Sequence, residues 1–249
     1  MRPSIKKRQL HQSAMFTPNY DAILKAYRDY VTDAQERHRN LDLKKRIDTN
    51  HLPCELYHAY DRWQPRNGIN TLFLAESPPW SGAENYFYNE KYEAPEGRMN
   101  LSTILFDKLH IAEGTKERNL TEFRGRDYFL SDTVKCVFRK TLSRNSETNE
   151  KKSIPSDLRR LSVDKVLKDE IASMRPDVVF LLGRTALKAL RQIEESRTSL
   201  QNVTVAKDCG RRISMNNTNV IVCAFLNAQN LQVYGKRIDQ AFEELAALQ

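Results

Sequence analysis

Four stretches of the chain carry an unbroken apolar run: residues 72–75 and runs within 127–136, 177–183 and 219–226. Continuous rather than alternating apolar runs predict strands covered on both faces, as in a parallel sheet. Between them the apolar period changes to three and four. Ile23, Leu24, Ala26, Tyr27 and Tyr30 recur at helical steps within 20–45, and 53–63 reads as a second helical stretch. Leu101, Ile104, Leu105 and Leu109 share one face of a helix over 101–110. An amphipathic helix over 158–174 stops at Arg175-Pro176, and further helices are expected over 185–193 and 234–248. Residues 141–155 have almost no apolar side chain and predict an exposed loop. The alternation predicts an α/β fold: a three-layer α/β/α domain with a mainly parallel central sheet over 69–249, preceded by a basic arm and helical extension over 1–68.

Composition narrows the partners. The 249 residues suffice for one sizeable domain, and 40 basic against 32 acidic side chains give a net charge of +8. That balance favours polyanionic partners, although well-solvated proteins share it. No run of eighteen apolar residues exists, so no membrane span is expected, and the basic amino terminus lacks the apolar stretch of a secretory signal. A cytoplasmic location is expected. The four cysteines, Cys54, Cys136, Cys209 and Cys223, form no Cys-x-x-Cys pair, which favours buried free thiols over a metal or redox site. None of the five histidines has zinc-binding spacing, and neither a Walker loop nor Gly-x-Gly-x-x-Gly is present.

The segment Asn70-Thr71-Leu72-Phe73-Leu74-Ala75-Glu76-Ser77-Pro78-Pro79 concentrates the candidate chemistry. A buried strand ends at a carboxylate and is followed by prolines, whose fixed φ and missing N–H make the turn rigid. Polar turns at the carboxyl ends of α/β strands are where such folds place ligands. The alternative is an ordinary strand end, with Glu76 accepting amide bonds from its own turn.

The order of these elements resembles the uracil-DNA glycosylase superfamily. Ala75-Glu76-Ser77-Pro78-Pro79 stands in the place of that family's first motif, a relative of Gly-Glu-Ala-Pro-Gly. Phe87, within Tyr86-Phe87-Tyr88-Asn89, matches the position of an aromatic that stacks on a flipped base. Asp132-Thr133-Val134-Lys135-Cys136 is similar to the Asn-x-Val-Lys-Cys strand end of the iron–sulfur branch (families four and five). Residues 174–187, with Arg175-Pro176, a strand and a Leu182-Gly183 turn, are a close likeness of a further block. The last motif, usually a His-Pro pair, is met by Leu226-Asn227-Ala228-Gln229.

The resemblance implies hydrolysis of the N-glycosidic bond of a flipped, damaged or deaminated base in DNA. It implies Glu76, Ser77 and Asp132 as catalytic candidates, and Phe87, Tyr88, Pro78, Asn227 and Gln229 as base-pocket candidates. Lys135, Arg139, Lys140, Arg184 and Lys236 are candidate phosphate contacts, with Arg144, Arg211, Arg212 and Arg237 also flanking the supposed crevice. Phe87 is equally readable as a loop anchor in the core, and Asp132 as a cap for its own turn. Three departures accompany the likeness. Ser77 stands where a water-directing acid or amide is usual, Asp132 replaces a base-reading asparagine, and the final histidine is missing. Cys136 matches one cluster ligand without companions, so neither an iron–sulfur cluster nor any other cofactor is expected. The alternative to an enzyme is a catalytically inactive nucleic-acid-binding protein of the same fold.

Overall fold

The computed structural model describes residues 15–37, 46–79, 83–92, 99–111, 114–138, 154–193, 198–215 and 217–249. Helix α1, Tyr20–Arg37, is followed by the short α2, Pro53–Leu56, and a π-helical turn, Ala59–Trp63. Strand β1, Thr71–Ala75, comes next, then α3, Leu101–Lys108, α4, Lys116–Gly125, and β2, Tyr128–Asp132. A long helical stretch is made of α5, Ser156–Ser162, a π-helical turn, Val163–Leu167, and α6, Lys168–Met174. The chain closes with β3, Val178–Leu182; α7, Arg184–Leu190; α8, Val205–Asp208; β4, Arg212–Met215; β5, Thr218–Cys223; and α9, Ala228–Ala246.

The five strands form one sheet in the order β2-β1-β3-β5-β4. The first four are parallel, and β4 alone pairs antiparallel, with β5. Residues of β1, β2 and β3 are buried throughout, as their continuous apolar runs require. Strand β4 alternates between exposed and half-exposed, which is why no apolar run announces it. Helix α4 likewise has no clear apolar stripe, because Leu120 and Phe123 are its only large buried apolar side chains amid charge.

The amino-terminal helices do not stand apart from the sheet domain. Ile23, Tyr27, Val31, Tyr60 and Trp63 belong to the same buried cluster as Phe73, Phe129 and Leu167. An aromatic chain joins the layers: Trp63 stacks near Tyr88, Tyr88 near Phe129, and Phe73 meets Phe180, which meets Phe242 of α9. Rings at such separations add about 0.5–1.5 kcal/mol per pair beyond the area they bury. None of the described helices is long and apolar enough to cross a membrane.

Candidate active site

The chain leaves β1 to form β2 on one side and later returns to form β3 on the other, so the carboxyl ends of β1 and β3 flank the switch point of the sheet. Glu76 follows the last residue of β1 at that point, and its Oε1 accepts a hydrogen bond from Thr185 Oγ1 at 2.8 Å. Thr185 lies in the first turn of α7, directly after β3. The bond therefore ties the two strand ends together and fixes the half-buried carboxylate between them. Gly183 makes this approach possible: its φ is +95°, and an added Cβ would sit 3.1 Å from Phe225 Cβ on the loop after β5. Ser77 is half-buried and Pro78 buried beside it.

The end of β2 is welded to the same turn. Thr133 donates from both its N–H, at 2.9 Å, and its Oγ1, at 2.7 Å, to the Ala75 carbonyl, and Val134 N–H donates to the Glu76 carbonyl at 3.0 Å. These bonds hold Asp132, 5% exposed, next to Glu76. Burial pushes the Asp132 carboxyl up to about 7; Lys135 pulls it down, and Glu170 and Glu76 push it further up. Asp132 thus feels two carboxylates and one ammonium, and that ammonium is already engaged. Lys135 Nζ donates to Glu170 Oε2 at 2.6 Å and to Ser131 Oγ, while Tyr60 OH donates to Glu170 Oε1 at 2.8 Å.

Helix α1 braces the loop that carries these groups. Tyr27 OH donates to Ser162 Oγ at 2.9 Å and accepts the Lys135 N–H at 3.0 Å, and Ser162 Oγ donates to the Thr133 carbonyl at 2.6 Å. The helices before β1 are therefore positioning elements for the Asp132 strand end.

Several expectations change in the structure. Lys135 is 2% exposed and paired with Glu170, so it is a buried structural cation rather than a phosphate contact on the surface. Phe87 is 4% exposed, and Tyr88, Phe106 and Phe123 crowd its ring at centroid distances of 4.9, 5.4 and 5.3 Å. It is a core anchor rather than an open platform for a base. Tyr88 is buried as well, its OH donating to the Leu130 carbonyl at 3.0 Å and accepting the Leu130 N–H at 2.7 Å. The segment turns rather than running extended, with Asn89 N–H donating to the Tyr86 carbonyl at 3.0 Å. Tyr86 is buried too. Burial pushes its phenol well above the usual range, with Asp132 adding to the shift. It stacks against the half-exposed Tyr57 at 5.8 Å and 29°. Lys116 pins this loop by donating to the Tyr86 carbonyl at 3.1 Å, and burial lowers its ammonium to about 8.

After β5, Asn227 is the N-cap of α9: its Oδ1 accepts the Asn230 N–H at 2.8 Å, and Asn230 Nδ2 donates to the Phe225 carbonyl at 2.8 Å. Its side-chain oxygen is thereby assigned to the helix, while Gln229 is exposed one residue into α9. Arg184 and Lys236 are exposed; Arg139, Lys140 and Arg144 lie outside the described residues. Arg211, Arg212 and Arg237 gather around a concavity of about 400 Å³ at the β4 edge.

The cysteines do not fit a four-thiolate cluster. Cys136 lies just beyond β2 at one edge of the sheet, and Cys209 and Cys223 lie toward the opposite edge. Among the described residues no three His, Cys, Asp or Glu side chains gather to hold a metal. Thr185, Tyr86 and Glu170 are not singled out by sequence reasoning. Glu170 alone leaves a signal there: it falls on the apolar stripe of Val163, Val166, Leu167 and Met174, a core-facing position that demands a buried partner.

Comparison with known families matches residues 72–246 to the model described as the uracil DNA glycosylase superfamily. No curated protein matches the chain.

Proposed function

The chain belongs to the uracil-DNA glycosylase superfamily, and from that membership we propose that its crevice hydrolyses the N-glycosidic bond of a damaged or deaminated base flipped out of DNA. The observation that carries this reading is the placement of Glu76 at the switch point of the sheet, bonded to Thr185 at 2.8 Å and facing the buried Asp132. Breaking a base–sugar bond develops positive charge on the sugar and negative charge on the departing base. Glu76 stabilises the first and orients the attacking water. Asp132 in its protonated form supplies a donor to the second, the role for which the loop after β5 offers no acid: its Asn227 caps a helix.

Asp132 also sets base preference. Protonated, it presents one donor and one acceptor, as an amide does; ionised, it only accepts. Since burial raises its carboxyl to about 7, both forms exist near neutral pH. Excision of bases with a uracil-like donor–acceptor edge falls as pH rises through that value, and Asp132→Asn flattens this alkaline limb.

A base stacked on an aromatic recovers about 1–3 kcal/mol of the cost of extrusion. With Phe87 buried among three rings, the half-exposed Tyr57, stacked on Tyr86, is a candidate aromatic surface for the base. The second reading is a binder without hydrolysis; the helix-capping role of Asn227 favours it, because the position lends no charge to a leaving base.

The test uses purified protein and oligonucleotides carrying uracil, hypoxanthine, xanthine or a mismatch. Alkali-labile abasic sites support the glycosylase. Salt-sensitive binding without product supports the binder. Absence of both binding and product overturns both readings.

A further inference from the structure

At the far edge of the sheet two cysteines are brought together by a local irregularity. Strand β4 pairs with β5 in the register Arg212↔Ile221 and Ile213↔Val220. Just before β4, Gly210 N–H donates to the Val222 carbonyl at 2.8 Å, and Val222 N–H donates to the Arg211 carbonyl at 3.0 Å. Two residues, Gly210 and Arg211, therefore oppose the single Val222. This is a β-bulge, and Gly210 takes the φ of +91° that such an insertion favours. The extra residue shifts the register by one, which puts Cys209 opposite Cys223 instead of opposite Ala224. Side chains of directly opposed residues come within about 4.5–5.5 Å at Cβ, close to the separation that a disulfide spans.

Cys209 Sγ accepts the Ala224 N–H at 3.3 Å, and the opposed Cys223 thiol acts on it as a hydrogen-bond donor. Their surroundings differ. Cys209 lines the concavity of about 400 Å³ formed with Lys207, Arg211, Arg212 and Arg237, where Glu244 pairs with Arg212, whereas Cys223 is fully buried behind it. The hydrogen bond from Cys223, the Ala224 N–H and Arg237 together lower the Cys209 thiol to about 7, against the opposing effect of burial. Burial pushes Cys223 well above the thiol range, and it lifts Cys54 to about 12. A thiolate in a cationic concavity with a neutral thiol behind it is the arrangement of an attacking and a resolving cysteine.

We propose that Cys209 and Cys223 are a redox pair that hydroperoxides close into a disulfide. The Cys209 thiolate attacks one peroxide oxygen; the O–O bond breaks, leaving Cys209 as a sulfenic acid and releasing hydroxide. Cys223 then attacks the Cys209 sulfur, the S–O bond breaks, and the Cys223 proton and the departing oxygen leave as water. Two thiols lose two electrons, and one hydrogen peroxide becomes two waters. A dithiol reductant reverses the step. The bond would tether the end of β5, whose Cys223 carbonyl accepts the Gly183 N–H at 2.9 Å, to the turn before β4. Oxidation thereby restrains the strand end that leads to Asn227.

The test is intact-mass analysis and peptide mapping of the whole protein after a near-stoichiometric dose of hydrogen peroxide. The expected result is loss of two hydrogens, a Cys209–Cys223 crosslinked peptide, full reversal by dithiothreitol, and unmodified Cys54 and Cys136. In Cys223→Ser the oxidation stops at Cys209 sulfenic acid, trapped by a cyclic 1,3-dione, and Cys223→Ala serves if the serine does not fold. Iodoacetamide at neutral pH alkylates Cys209 at least about tenfold faster than Cys54, as its larger thiolate fraction requires. A wild-type protein whose four thiols survive a dose that oxidises a free cysteine peptide overturns the proposal. So does a peptide map in which Cys54 or Cys136 reacts as fast as Cys209.

Discussion

The two sides of the crevice are built from different materials. On the β1–β2 side Asp132, Lys135 and Glu170 are all buried, with the Glu76 carboxylate beside them. On the β3–β5 side no carboxylate or ammonium is buried among the described residues. Shape is set there by Gly183, by the Thr185 hydroxyl and by the Asn227 cap. This superfamily usually places a histidine that stabilises the leaving base after the last strand, where this chain has Leu226-Asn227. On the proposed function the acid–base work therefore falls on the β1–β2 side, while the other side supplies backbone that shapes the pocket.

That contrast is broken most severely by removing a partner from the buried ion pair. Glu170→Ala strands the Lys135 ammonium and the Tyr60 hydroxyl, and is expected to cost about 3–5 kcal/mol in denaturant unfolding. The double variant Lys135→Met with Glu170→Leu recovers most of that loss, as expected of a structural pair rather than a DNA contact. Next in size is the pH dependence of stability from Asp132. Its folded value is raised from 3.8 to about 7, so the stability it confers is fully present below 3.8 and is lost as pH rises through about 7. Asp132→Asn abolishes that decline of a few kcal/mol, which unfolding curves between pH 4 and 8 measure directly. On the other side, Gly183→Ala forces a side chain onto φ +95° and against Phe225, at a cost of about 1–3 kcal/mol in unfolding free energy. Smallest is Asn227→Ala, which removes one N-cap, lowers stability by about 1 kcal/mol, and leaves any excision rate within a few-fold.

The uneven legibility of the sequence follows the same divide. Strands β1, β2 and β3 are readable because each is buried on both faces, and an unbroken apolar run bounded by polar turns fits little besides a covered strand. Strand β4 is not readable, since an edge strand with exposed Arg212 and Ser214 looks like loop. Glu76 is legible as a polar strand end, but its partner Thr185 lies 109 residues away, and only the strand order brings them together. Lys135 misleads for a related reason. A lysine reads as surface by default, and the acid that buries it is contributed by a helix 35 residues on. Phe87 and Tyr88 stand out as part of an aromatic cluster, but aromatic residues in a turn give no sign of which ring faces solvent and which faces core.

The claim that the β1–β2 side carries the chemistry is tested most directly by the single-turnover rate of abasic-site formation in wild type and Glu76→Gln, on the best substrate of the oligonucleotide panel. The variant keeps the shape and the Thr185 bond while removing the charge. A fall of about 10²-fold or more at unchanged DNA binding is predicted. A variant that cleaves at the wild-type rate contradicts the account.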